Sequence, residues 1–344
     1  MIHAKIPAIL YGPPGVGKSA AIQALGKRLQ LPVYTVIASI REPADFSGLP
    51  ILRDDGVWMM PPRWAQALAE AGQGILFLDE ITTTPPAVQA ALLRVVLDRV
   101  VGDLALPPGV AVLAAANPVE QAAGGWDLSA PLANRFLHLE WTLDPAAWSA
   151  DFPTYWGDPP EIPGIPPDRW AAARALVAGF IRHAPQYLLQ VPKDVQISQA
   201  WPSPRTWEFV SRILAVAPPT EQLPLILGAV GSAAHAFWQW KAQQDLPDPA
   251  ECLTHPTGWP IPPRGDQLFA VLQGIVAIAQ VQQSAETWER AWECLGYAAD
   301  QGHADVALPI AETLAKLRQP EWPFPTQAFR SLAPVLSVLN KVGV

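Results

Sequence analysis

Gly12-Pro13-Pro14-Gly15-Val16-Gly17-Lys18-Ser19 decides how this 344-residue chain is read, and Ala20 carries it on into a helical pattern. The stretch satisfies G-x-x-x-x-G-K-[ST] in full, the pattern of a loop whose backbone amides cradle phosphate oxygens. Its glycines let the chain wrap closely enough for successive N–H groups to converge on an anion. The helix that follows adds the favourable end of its dipole. Lys18 is expected to neutralise the β- and γ-phosphates of a nucleotide, and the Ser19 hydroxyl to ligate Mg²⁺. An apolar run over residues 7–11 precedes the loop and a helical pattern over 19–29 follows it, the order such a loop requires.

Working outward, short apolar runs at 33–37, 75–78, 110–116 and 136–141 read as strands buried on both faces, as in a parallel sheet. Helical patterns at 64–71 and 87–97 lie between them. The third run ends in Asp79-Glu80. Carboxylates at the carboxyl edge of a parallel sheet stand where open α/β sheets bind ligands. Asp79 is expected to hold Mg²⁺, and Glu80 to orient and polarise an attacking water. Asn117 closes the fourth run, and Pro118 disfavours helix there. It is a candidate for positioning that water, although taken alone a turn asparagine is the better reading.

The composition narrows the field. Half of the residues are hydrophobic and 16% are charged, which allows large cores and argues against extended disorder. A net charge of −8 without a basic stripe argues against a dedicated nucleic-acid surface. Cys252 and Cys294 lie outside any zinc-binding spacing and read as buried reduced thiols, and the six histidines are scattered. No signal peptide fits the start, and a cytoplasmic protein is expected. The uncharged stretch 223–240 just reaches the lower limit for a membrane span. Gly228, Gly231 and His235 interrupt it, and a buried helix with Pro224 at its N-terminus is the better reading. Beyond residue 143 the strand signal fades into helices separated by proline-rich stretches, near 159–167, 218–224 and 246–263. The fifteen tryptophans read as packing residues.

Phosphate loop, acidic strand end and strand-end asparagine, in this order, resemble the AAA+ ATPases. The resemblance implies ATP and Mg²⁺ as cofactors. It also implies a five-stranded parallel sheet in the order 5-1-4-3-2 over residues 1–143 and an all-helical lid with a helical extension over 144–344. Leu132-Ala133-Asn134-Arg135-Phe136 is similar to the segment where relatives carry an arginine finger, so Arg135 would reach the nucleotide of a neighbouring subunit. Ser203-Pro204-Arg205 resembles the sensor-2 motif: Ser203 and Pro204 suit N-cap and N1 of a helix, and Arg205 would touch the nucleotide of its own subunit. Asp55-Gly56 lies between two short apolar runs, a hairpin signal. The segment 49–60 resembles the hairpin inserted in helix 2 of the MoxR branch, and 100–106 the hairpin before sensor 1. Trp58, Met59 and Met60 would be apolar grips on a partner, or buried against the domain. Only six residues precede the first strand candidate, so adenine recognition is expected from elsewhere, such as the lid.

The function this implies is ATP hydrolysis by a ring, expected to be a hexamer, that remodels or assembles a partner protein. The partner expected for this branch carries a von Willebrand factor A domain. Two alternatives stand beside it: a DNA-linked motor, and a nucleotide-gated binding module with little hydrolysis. No membrane partner is expected.

Overall fold

The computed structural model describes residues 4–118, 121, 126–192, 200–243, 245–322, 325, 326, 328 and 330–332. The chain divides into two units, the first running to Thr142 and the second starting at Leu143.

In the first unit the strands are β1 (Ala8–Tyr11), β2 (Val33–Ile37), β3 (Leu49–Arg53), β4 (Gly56–Met60), β5 (Gln73–Asp79), β6 (Val100–Val101), β7 (Leu104–Ala105), β8 (Gly109–Ala116) and β9 (Leu137–Glu140). Five of them form one parallel sheet in the order β2-β5-β8-β1-β9. Counted along the chain this is 5-1-4-3-2, the order expected from the sequence. Successive side chains on a strand point to opposite faces. Accordingly Ile9, Leu76, Leu78, Val112 and Ala114 join the core on one face. Ala8, Leu10, Ile75, Phe77, Leu113 and Ala115 join the core on the other. Helix α1 (Lys18–Leu29) covers the second face through Ile22. After the short α2 (Ala44–Ser47), helices α3 (Arg63–Ala71) and α4 (Pro86–Leu97) cover the first, through Ala65 and Leu68 and through Val88, Leu92 and Val95. Burial on both faces is why β1, β5 and β8 read as continuous apolar runs, whereas β2 and β9, expected to be buried in the same way, lie at the sheet edges and are half-exposed.

β3 and β4 form an antiparallel hairpin with Arg53 opposite Gly56, so the turn is Asp54-Asp55 and the glycine opens the return strand. Arg53 lies over the Trp58 ring, 4.3 Å from its centroid. Trp58 and Met59 are half-buried, whereas Leu52 near the turn is 85% exposed and Val57 opposite it 66%. β6 and β7 form a second, shorter hairpin that is tied to the first. The Asp103 amide donates to Met59 O (2.9 Å) and the Asp103 carboxylate accepts from the Met59 amide (2.7 Å). Gly102, at φ 59°, lies so close that a Cβ there would stand 2.3 Å from Met59 O. The Arg99 guanidinium donates to the carbonyls of Pro107 and Val110 and so anchors this hairpin at the start of β8.

The described residues of the second unit are helical: after α5 (Ala130–Ala133) of the first unit come α6 (Pro145–Asp151), α7 (Pro167–His183), α8 (Pro204–Val216), α9 (Pro219–Val230), α10 (Ala233–Ala242), α11 (Pro249–Thr254), α12 (Gly265–Gln282), α13 (Ala285–Ala298) and α14 (Ala304–Lys316). Proline stands at the first position of α6, α7, α8, α9 and α11. There its missing N–H costs no hydrogen bond. Those five of the 39 prolines thus start helices rather than mark disorder. Asp144, Ser203, Asp248 and Ser284 cap helices with their side chains. One core is aromatic: the Phe180 ring lies 5.3–5.7 Å from Phe237, Trp207, Tyr187 and Trp240. A second core surrounds α12, which is buried from Gln267 to Gln280.

The stretch 223–240 is not one helix. α9 ends at Gly231, whose φ of 57° breaks the chain direction before α10. Pro224 lies inside α9 rather than at its N-terminus, because Pro218 and Pro219 already start the helix. No helix among the described residues is long and apolar enough to cross a membrane.

Candidate nucleotide site

The phosphate-loop sequence turns back from the end of β1, where the Gly12 amide donates to Ala116 O at the end of β8 (3.2 Å). Gly17 caps α1 at φ 92°, a conformation strained for any residue with a Cβ, and it brings no side chain to compete for the first helical amides. The Trp141 indole N–H donates to Val16 O (3.2 Å) and steadies the loop from beside β9. Lys18 is buried, and its Nζ donates to Gly12 O (2.7 Å), Pro13 O (2.9 Å) and Asn117 Oδ1 (2.9 Å). Three acceptors fix one ammonium at the mouth of the loop.

The acids arrive from the neighbouring strand. Asp79 ends β5, and its Oδ2 accepts from the Ser19 hydroxyl at 2.7 Å while its Oδ1 accepts from the Glu80 amide at 3.0 Å. Glu80 itself adopts a left-handed conformation (φ 57°, ψ 38°), uncommon for a non-glycine residue. Thr83 and Thr84 hydroxyls donate to its carbonyl at 2.9 and 3.2 Å and hold it there. Its carboxylate accepts from the Ser39 hydroxyl at 2.7 Å. Strain held in place by several bonds is a common property of functional positions. Asn117 follows β8; its carbonyl accepts from the Thr82 hydroxyl at 3.3 Å.

The loop Gly12–Ser19 with Ala20, Asp79, Glu80 and Asn117 are therefore brought together at the carboxyl ends of β1, β5 and β8. A hydroxyl beside a carboxylate is a hard oxygen donor set that fits Mg²⁺, and loop amides with a fixed ammonium fit a polyphosphate. Ser39 and Thr82 escaped the sequence reading. Both are ordinary polar residues just past the ends of strands, and only the sheet order makes them neighbours of the motif residues.

Arg135 is placed elsewhere. It lies in the turn between α5 and β9, and β9 runs parallel to β1 with Leu137 opposite Ala8. Arg135 thus enters the sheet at its amino edge. At 3.3 Å per residue it stands about 20 Å along the strand direction from Gly12 of its own loop. Its Nε is buried and makes no hydrogen bond. Arg205 belongs to the second unit, exposed in the first turn of α8. Ser203 and Thr206 form a reciprocal capping box at that helix start.

Residues 7–136 match the family described as the AAA domain (dynein-related subfamily). Over 121 residues the chain is 29% identical to the denitrification regulatory protein NirQ of Pseudomonas aeruginosa, a match covering 33% of this chain and 46% of that protein. NirQ of Stutzerimonas stutzeri is 28% identical over the same length, covering 33% and 43%. The chain thus spans less than half the length of the curated relatives it matches. Among solved structures it is similar to the Thermotoga maritima RuvB Holliday junction branch migration motor, at 17% identity and a TM-score of 0.37 over 87% of this chain and 83% of that one. A putative ATPase from Cytophaga hutchinsonii gives 18% identity and 0.33 over 67% and 78%. With its motif loop at the end of the first of five parallel strands ordered 5-1-4-3-2, the region that matches this family model has the AAA P-loop fold.

Proposed function

We propose that the protein is a Mg²⁺-dependent ATPase whose subunits work together in a ring, with six subunits as the expected number, to remodel or assemble a partner protein in the cytoplasm. The observation that carries this reading is the convergence of Lys18, Ser19, Asp79, Glu80 and Asn117 at adjacent strand ends. Bound ATP with Mg²⁺ would supply the scissile phosphoanhydride and shield its charge. Lys18 and the loop amides hold the phosphates, and Ser19 and Asp79 hold the cation. Glu80, steadied by Ser39, orients the attacking water and takes its proton, and Asn117 helps to place that water.

Arg135 supports the assembly part of the proposal. About 20 Å from its own loop it is out of reach of the phosphates bound there, and a guanidinium with a buried N–H left unsatisfied is suited to an anion brought by another subunit. Arg205, at a helix start, is assigned to the nucleotide of its own subunit on the sequence resemblance. The partner carrying a von Willebrand factor A domain also rests on that resemblance. The likeness to two denitrification regulatory proteins favours action on another protein over a free-standing metabolic role.

The test is ATP turnover per subunit against protein concentration, with mass measured in parallel with and without Mg·ATP. The expected result is turnover that rises with assembly, is lost in Glu80→Gln with ATP binding retained, and is lost in Arg135→Ala with both binding and assembly retained. Full turnover from a monomer, or wild-type turnover in Arg135→Ala, would sink the inter-subunit site.

A further inference from the structure

Within the second unit, α7, the end of α8, the start of α9, the end of α10, the start of α11 and α12 line an open cleft of about 720 Å³ that takes no part in the site above. Leu176, Leu214, Leu246 and Ile278 supply apolar walls. Four charged side chains reach it: Asp168, Arg169, Lys241 and Asp248. Both carboxylates are already engaged. Asp168 accepts from Gln282 Nε2 at 3.1 Å, and Asp248 caps α11 by accepting from the Ala250 amide at 2.9 Å.

The cations are not so balanced. Lys241 is half-buried, and among the described residues no carboxylate lies within ion-pair distance of it. Its Nζ stands 4.8 Å from the centroid of the Trp238 ring and 3.5 Å from Gln222 Oε1. Gln222 is itself 7% exposed and pinned by donating from Nε2 to Ala217 O at 3.0 Å, so the oxygen that faces Lys241 is fixed. Burial pushes the Lys241 pKa down. An ammonium that has lost water and gained only a ring face and an amide oxygen is stabilised by any anion that enters. Arg169 offers a second cation on the exposed side of the same cleft.

We propose that this cleft binds a small amphiphilic monocarboxylate, with the apolar body against Leu176, Leu214 and Ile278 and the carboxylate on Lys241. The volume lies within the range of small-molecule sites, and apolar walls with one or two placed polar groups are their usual chemistry. The cleft is lined by second-unit residues alone and shares none with the phosphate loop, so its test does not depend on the function proposed above.

The experiment is calorimetric titration of the full chain with octanoate, octanol and octylammonium. Octanoate is expected to bind saturably, and octanol and octylammonium about tenfold more weakly or worse, the usual effect of one charge-assisted hydrogen bond. Lys241→Gln should weaken octanoate by about the same factor without changing octanol. Ala172→Phe, which fills the cleft from α7 and removes no charge, should abolish octanoate binding. Melting temperature and ATP turnover serve as folding controls for both variants. Octanoate binding that is equal in the wild type and both variants, or no better than that of octanol, overturns the proposal. So does the absence of saturable octanoate binding to the wild type. Tighter binding of the dipeptide acid acetyl-Leu-Leu would overturn the small molecule in favour of a peptide terminus.

Discussion

The two units of this chain are held together by different means. The first is a sheet of small and aliphatic residues whose polar groups gather at strand ends and are fixed there by hydrogen bonds. The second is a set of helices whose cores rely on large rings; most of the fifteen tryptophans lie after Leu143. In the first unit a side chain's position follows from the strand that ends beside it, and geometry there serves chemistry. In the second, position follows from ring packing, and geometry there serves rigidity. Substitutions should therefore separate the two: changes in the first unit alter turnover at nearly constant melting temperature, and changes in the second alter melting.

The largest expected effect is that of Arg135→Ala, which should lower assembly-dependent turnover on the order of a thousandfold. Melting should barely change, since the side chain is half-buried and its Nε makes no hydrogen bond. Trp207→Ala should do the reverse. Trp207 is wholly buried and its indole donates to Tyr187 O at 2.7 Å, so its loss should cost about 3–5 kcal/mol in a denaturant titration. Unchanged stability would mean that the aromatic core is not the support described here. Glu80→Gln, nearly isosteric, should reduce turnover on the order of a hundredfold while ATP binding survives. Ser39→Ala removes one hydrogen bond to the Glu80 carboxylate and should lower turnover about fivefold. A rise instead would show that Ser39 holds Glu80 away from its working position.

The smallest effect is one of pH and belongs to the second unit. Burial pushes the Cys252 thiol up to about 12 and raises that of Cys294 as well. A raised folded-state pKa favours the protonated form, so this contribution is whole below the unfolded value. It declines as pH climbs from about 8.5 toward the folded value. Melting temperature should therefore fall above that pH, and the fall should be shallower in Cys252→Ala/Cys294→Ala. An identical pH dependence in the double variant would exclude the thiols as its source.

The same contrast explains what was legible in the sequence. The strands at 75–78 and 110–116 were readable because burial on both faces leaves runs with no polar interruption. The order 5-1-4-3-2 came from motif resemblance and not from the runs themselves, which fix strands but not their neighbours. Lys18, Ser19, Asp79 and Asn117 were findable because a phosphate loop and acids at a strand end have a linear signature. Ser39 has none: its partner is forty-one residues away, and only the pairing of β2 with β5 brings the two together. Pro224 misled for a local reason, since Pro218-Pro219 just upstream start the helix and leave the later proline inside it. The cleft at Lys241 was beyond sequence reading altogether, being assembled from six helices whose individual patterns do not report which others they meet.

The three bonds of Lys18 have a consequence of their own. With its ammonium on two loop carbonyls and the Asn117 oxygen, the loop is cross-braced by its own counter-charge. Any phosphate that enters must compete with those oxygens, so its observed affinity is a difference between two sets of contacts. Removing the lysine would then cost twice, once as lost attraction and once as lost shape. Arginine would keep the charge, but its flat, forked head does not match three acceptors gathered around a point. On the proposed function the atom that braces the loop would also clasp the phosphates, and the exchange between those duties would set how tightly the loop holds them.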